Sequence, residues 1–599
     1  MPAADAADAD ADDAGSHEKK YDLVALAAPK LVSPLIFVVS YLLANRSLVG
    51  RLYASLLARK NGFLRLATQD SLQLLSLGFT PAAGRAITHP VTIVKDYPPA
   101  SKASSSSSSK PQQLGPVTCA DYHHAYRSRT TSPMQVCDWL LDNLEKTNKQ
   151  LNAVIRFDPS SIREQFAASE ARYQKNAPLS PIDGVPFVVK DELHAAGYLG
   201  ACGTNALEKS ATPASKDCGV VANLKAAGAI LIGKSHMTEL GMAMNGYNPV
   251  NRLCVNPYDT RREPAGSSSG SGAAVAAGLC PFAIGCDGGG SIRMPAARCA
   301  AVGLKPTKGL VTNEGRVIET TTTLGHVGPI AATAQDALLM LHYMTSRRDV
   351  GDIPRSLATP NITNLKIGIY WPWFRDVNDS RIKSICEESV NKLKQLGADI
   401  VDIEIPHLNR AGRAHSAIIL HECRGAMTKL MGEQKWDNAV MEDLGYEVRM
   451  KILVSETIDK LTTDDERKQP LVDTAFACRE EIFKCFASLL EKKCDVIATP
   501  TMPTLPPFHA NGGPKLDVTE DSCSMRFMLP ANITGLPAVT VNVGWIEDGS
   551  HHLPVGLQFM GNCSHERRLL QLAHLFESPE GVGVSWKRPD VYVSPPFAS

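Results

Sequence analysis

From Ala265 to Arg293 the chain reads AGSSSGSGAAVAAGLCPFAIGCDGGGSIR. Within it, GSGAAVAAGLC at 270–280 has the small-residue content of a closely packed helix, and Pro281 breaks it. FAIGCD at 282–287 is then a short apolar strand that runs into Gly288-Gly289-Gly290-Ser291. The same unit occurs upstream, where Val220, Val221 and Leu224 make a helical stripe and Gly228 stops it. AILIGK at 229–234 reads as the buried strand that follows. PFVVKDEL at 186–193 is another strand-like run, with Lys190 near its end. Helix and strand alternating in this way imply an α/β sheet layered between helices. Charged helical stretches over about 375–490, such as SRIKSICEESVNKLKQLGADIVDIEIP, are expected to cover the site from one side before DVIATPTMP at 495–503 returns to buried strand.

Three successive glycines let backbone N–H groups converge where side chains would obstruct them, which is what stabilisation of an oxyanion requires. Ser291, at the end of the triplet, places a hydroxyl beside those donors, and a serine becomes a nucleophile only when another group removes its proton. No histidine is placed to do so: there is no G-x-S-x-G, and His194, His236 and His326 occur in unrelated contexts. A lysine whose pKa burial lowers to about 7–8 can serve, and Lys190 at a strand end among apolar residues suits that role.

VVKD around Lys190, AGSSSGSGAAVAAG, DGGGSIRMPAARCAAVGLKPT and LPVGLQFMG at 553–561 resemble the amidase-signature family over about residues 150–580. The resemblance implies a mixed central β-sheet covered by helices on both faces. It also implies a Ser-Ser-Lys triad falling on Lys190, Ser267 and Ser291, and the 24-residue interval between the two serines is the family's own. In that scheme Lys190, neutral when active, takes a proton from Ser267, which takes that of Ser291. Backbone N–H groups from Gly288, Gly289, Gly290 and Ser291 hold the oxyanion. Ser268 supports the relay, Arg293 anchors the glycine loop, Met242 lines the site, and Asp191 and Asp287 order the backbone. No metal or organic cofactor is implied. Ala265 stands where the family usually has glycine, which narrows the loop, and Met244 and Asn245 replace small polar residues.

Within the family, ARKNG, DYHHAYRSRTTSPMQV at 121–136 and VIRFD at 154–158 look like the plant-type fatty acid amide hydrolases. That likeness implies hydrolysis of N-acylethanolamines and related long-chain amides to fatty acid and amine. Two other readings compete with it. One is a soluble amidase of small or aryl amides, or the subunit that releases ammonia for tRNA-bound glutamate. The other is a non-catalytic docking protein on the same fold, against which the complete triad counts.

The rest of the chain bounds these readings. Lys+Arg and Asp+Glu are equal at 62 each, so the long-range field that draws in nucleic acid is missing. Fifteen cysteines form no CxxC pair and no Cys/His cluster, which fits a reducing compartment. Residues 1–20 read as an acidic, disordered tail, and 21–95 as an amphipathic helical region. In the latter, the apolar run Leu31 to Ala44 is too short to span a bilayer. Leu48, Val49, Leu52, Tyr53, Leu56 and Leu57 give one apolar helical face, with Arg46, Arg51, Arg59 and Lys60 elsewhere, a pattern that packs on a protein core as well as in a membrane surface; the neighbouring apolar run and basic flank favour the membrane. Residues 96–114, with Ser104 to Ser109, read as a linker, and 115–599 as one catalytic domain. A membrane-facing N-terminal extension, a membrane surface facing the cytosol at the endoplasmic reticulum or plasma membrane, and a homodimer are expected.

Overall fold

A computed structural model describes residues 115–345, 357–406, 408–431, 443–463, 471–509 and 523–598. The expectations for 1–20, 21–95 and 96–114, the membrane-facing extension included, lie outside the described residues.

Beside a small two-stranded sheet, the described residues build an eleven-stranded mixed one. Across it the strands run Val154–Arg156, Ile230–Ser235, Pro186–Lys190, Phe282–Asp287, His326–Ala331, Val302–Lys305, Ala538–Asp548, His551–Gly561, Val496–Pro500, Lys366–Ile369 and Asp399–Asp402. Pro186–Lys190 pairs in parallel with both of its neighbours. The middle of the sheet, from Phe282–Asp287 to Val496–Pro500, is antiparallel, and parallel pairing returns at the far edge. The strands around Lys190 and Asp287 are buried at every position, so both faces are covered.

Local chemistry explains the expected units. Helix Gly219–Ala226 stops where Gly228 takes φ of +95°, and strand Ile230–Ser235 follows. Helix Ser269–Ala276 is made of Ser, Gly, Ala and Val, which let it lie close on the strands beside it. The region after 375 differs from the sequence reading. Helix Ser380–Gln395 ends, Gly397 turns the chain at φ +99°, and Asp399–Asp402 becomes a strand in register with Lys366–Ile369. With the helix ended at Gly397, Ile400 and Val401, each half-buried, extend beside Lys366–Ile369 and make the edge strand.

Two apolar clusters flank this frame. The larger packs the sheet against the helices. The second is methionine-rich: Met237, Met242, Met244, Met294, Met528 and Met560 meet helices Leu408–Met431, Tyr446–Thr463 and Leu471–Lys492. It adjoins the glycine loop.

Candidate active site

Sheet topology brings the three expected triad residues together. Lys190 closes strand Pro186–Lys190, and Asp287 closes its parallel neighbour, so the segments leaving both strands emerge at the same sheet edge. The serine-rich turn before helix Ser269–Ala276 folds over that edge. Lys190 Nζ lies 2.7 Å from Ser267 Oγ and 3.2 Å from the Cys286 carbonyl. All three residues are almost fully buried. The Ser268 N–H donates to the Ser291 carbonyl at 3.3 Å, and its hydroxyl donates to the Cys286 carbonyl, which ties the serine turn to the glycine loop. The peptide bond between Gly266 and Ser267 is cis, and Ala265 adopts φ of +65°, a backbone region that favours glycine. The Ser291 hydroxyl makes no hydrogen bond among the described residues, so the Lys190–Ser267 link is formed and the Ser267–Ser291 link is open.

Beneath the glycines lies a fully buried polar knot. Asp287 accepts from the N–H of Gly290 at 2.7 Å and of Ile292 at 3.2 Å. It also receives Arg293 through both Nε and Nη2, and Asn532 at 2.8 Å. Arg293 continues to Asn532, Gln558 and the Met528 carbonyl. Burial works to raise the Asp287 carboxyl, but Arg293 with Asn532 and Lys305 outweighs it and holds Asp287 well below the usual carboxylate range. Arg293 thus anchors the loop. The knot corrects one expectation: the Gly290 N–H is consumed by Asp287, so it is not a donor for an oxyanion. The N–H groups of Gly288, Gly289 and Ser291 have no acceptor among the described residues. Gly290, at φ +113°, has its role in the backbone path, because a Cβ there would meet Met528 Cγ at 2.5 Å.

Asp191 is likewise engaged structurally, accepting from the Ala201 N–H at 3.1 Å and facing Arg156 and Lys234. Met242 is buried in the methionine-rich cluster, and its carbonyl accepts from Lys451. Of the expected bystanders, His236 pairs with Ser269 and the Arg252 carbonyl, and burial lowers it to about 4.

Two residues at the site were not foreseen. Glu192 lies 2.7 Å from Lys190 Nζ. His415, on helix Leu408–Met431, reaches the Gly288 carbonyl at 2.6 Å. Burial lowers His415 to about 4, so the ring is neutral, and the carbonyl can only accept, which puts the proton on Nε2. A trans peptide places C=O and N–H on opposite sides, so this bond turns the Gly289 N–H to the side of the loop away from the helix. In the sequence, His415 is one histidine in a helical stretch far from the motifs, and nothing there marks it. From the same helix, Glu422 clamps Thr323, and a cavity of about 550 Å³ opens between the two segments, lined by Val317, Ile318, Thr322, His421 and Ala426 among others.

Comparison with known proteins gives a consistent picture. The amidase family profile matches residues 135–570. A fatty acid amide hydrolase of Medicago truncatula is 32% identical over 79% of this chain and 77% of its own. One of Arabidopsis thaliana is 32% identical over 93% of this chain and 94% of its own. A glutamyl-tRNA(Gln) amidotransferase subunit of Coxiella burnetii is 31% identical over 77% of this chain and 96% of its own. Among solved structures, a bacterial aryl acylamidase superposes with a TM-score of 0.66 at 23% identity, covering 78% of this chain and 96% of that one, a likeness of fold.

Proposed function

The chain belongs to the amidase-signature family, whose members are hydrolases of amide C–N bonds, and from that membership we propose that it cleaves long-chain fatty acid amides such as N-acylethanolamines through an acyl-Ser291 intermediate. The observation that carries the chemistry is the 2.7 Å contact of Lys190 with Ser267, buried beside a glycine loop that ends in Ser291. The Lys190 amine draws the Ser267 proton, Ser267 draws that of Ser291, and Ser291 Oγ attacks the amide carbon. Free N–H groups at Gly288, Gly289 and Ser291 take the oxyanion, each important donor contributing about 3–4 kcal/mol. The C–N bond breaks as the proton returns along the relay to the leaving amine. Water, deprotonated by the same pair, then cleaves the acyl ester to release the acid.

The substrate class is supported by the extent of the likeness to plant enzymes. The 93% of the chain aligned with the Arabidopsis protein is more than residues 135–599 can supply, so the likeness reaches into the segment before the amidase region. Met528 and Met294, fully buried next to Gly290, and Met525 next to Gly289 make the surroundings of the loop apolar and adaptable, which suits an acyl chain. The amidotransferase relative favours a small-amide reading. Release of free acid from N-acylethanolamines of graded chain length, beside short aryl and primary amides, separates the two. Rapid turnover of long chains, lost in Ser291→Ala, is expected; activity confined to short amides would reject the lipid assignment.

The same proposal places the protein at a cytosol-facing membrane surface through residues 21–95, and as a homodimer, on the strength of the apolar run at 31–44 and the amphipathic face after it. No helix among the described residues is long and apolar enough to cross a membrane. Flotation of the full chain with phospholipid vesicles and its mass by light scattering test these points; a monomer that stays with the aqueous phase would contradict both.

A further inference from the structure

Lys190 has three partners, one for each hydrogen of an ammonium: Ser267 Oγ, the Cys286 carbonyl and the Glu192 carboxylate. Two of them only accept. When Lys190 is an amine, its two hydrogens therefore go to the Cys286 carbonyl and Glu192, and the lone pair is left pointing at the third partner, Ser267. Glu192 thus has the geometry to aim the base.

The carboxylate is not isolated. Beyond the strand end the chain turns, with the Leu193 N–H donating to the Lys190 carbonyl, and residues 192–194 run beside 315–317. That pairing sets Arg316 Nη2 2.6 Å from the other Glu192 oxygen, with both side chains buried. Burial opposes ionisation of Glu192, yet Lys190 and Arg316 outweigh it and hold the carboxyl down to about 2. With Glu192 anionic and Arg316 cationic, the three-residue cluster is neutral only when Lys190 is an amine. Arg316 is what allows Lys190 to lose its proton without stranding a buried carboxylate.

The other ionisable neighbours leave this balance intact. Burial raises the Cys286 and Cys202 thiols well above their ordinary value, so they stay neutral. Asp191 and Lys234 face each other at 3.7 Å, with burial raising the acid and lowering the amine. Arg156 adds its charge to Asp191 from the open side.

We propose that Glu192, counterbalanced by Arg316, is the positioning residue that aims the Lys190 amine at Ser267 and sets the pH above which it acts as a base. The idea rests on the serine amidohydrolase reading given above. It makes the two partners act with opposite sign. Without the Glu192 charge, Lys190 faces only Arg316 and loses its proton more readily; without Arg316, it faces an unbalanced carboxylate and holds the proton longer.

The experiment is the pH dependence of covalent labelling of Ser291 by a long-chain fluorophosphonate, read by mass spectrometry on the full chain, which reports nucleophile activation without choosing an amide. The acid limb should move down by about one unit or more in Glu192→Gln and up by less in Arg316→Gln, the more distant charge, while Arg316→Lys, which keeps the charge, stays near wild type. If a single variant fails to fold, the double variant Glu192→Gln/Arg316→Gln leaves no unpaired buried charge. Because Glu192 is the nearer of the two, its acid limb should still move down, by less than in Glu192→Gln. Limbs that do not move, or that move together in both single variants, would overturn the proposal while leaving Ser291 as nucleophile. Absence of Ser291 labelling in the wild type would overturn the underlying reading as well.

Discussion

His415 holds the glycine loop through a carbonyl, and in the proposed mechanism it would act on the reaction there. Its neutral ring holds the Gly288 carbonyl at 2.6 Å and so fixes which way the Gly289 N–H points. Losing an oxyanion donor outright costs about 10²–10³ in kcat, and losing its support costs less. His415→Ala is expected to lower kcat by about tenfold to hundredfold with little change in KM, and His415→Gln, which keeps a donor, to restore most of it. Steady-state kinetics on the preferred amide check this; an equal effect on KM would mean that His415 shapes substrate binding instead. Gly290 is tested on stability. Gly290→Ala combines an unfavourable φ with a 2.5 Å approach to Met528, and a loss of about 2–4 kcal/mol in urea unfolding is expected. The sequence made Gly290 legible as part of a donor cluster, but not its N–H as already taken, because Asp287 reaches it only once the loop has turned back on the strand end.

Among the elements, the strand pair Pro186–Lys190 and Phe282–Asp287 and the loops leaving it form the working unit, and this was the part most open to reading. Apolar runs with Gly or Pro at their ends gave Phe282–Asp287 outright and Ile230–Ser235 to within a residue, the run at 186–193 overshot Pro186–Lys190 by three residues, and the alternation with helices gave the fold class. Arg293 was foreseen as the loop's anchor; its partners Asn532 and Gln558, more than 230 residues away, were not, since no local pattern links them. The knot predicts its own sensitivity. Arg293→Met leaves Asp287 buried without its cation and should cost about 3–5 kcal/mol in denaturant unfolding. A loss under 1 kcal/mol would show that Asn532 and the backbone N–H groups alone satisfy the carboxylate. The strand Asp399–Asp402 escaped the reading because a charged helix and a four-residue edge strand share one stretch of sequence.

Across the molecule, burial of acids and histidines sets opposing pH dependences. Glu239, beside the site and bonded to the Gly445 N–H, is pushed up by burial to about 8, and Asp336 to about 7. An acid raised on folding binds more protons folded than unfolded, so its contribution is full below pH about 4.5 and is lost as pH climbs through the folded value. His236 and His415, lowered to about 4, contribute above pH about 6.5 and lose it as pH falls towards 4. Stability should therefore fall between pH 6 and 9. Glu239→Gln, which imitates the protonated acid, should remove a share of that fall on the order of 3 kcal/mol. Urea unfolding of both proteins at pH 6 and 9 reads it, and parallel curves would place the Glu239 titration elsewhere. What the sequence could not disclose at this scale is how helix Leu408–Met431 reaches the glycine loop, which depends on packing between segments more than a hundred residues apart.

Acid quench of the protein during turnover of a long-chain N-acylethanolamine, followed by peptide mass spectrometry, reads whether Ser291 carries a fatty acyl group. A fatty acyl ester is expected on the peptide that contains Ser291, absent from Ser291→Ala. An acyl group on another residue, or undiminished turnover in Ser291→Ala, would contradict the acyl-Ser291 intermediate.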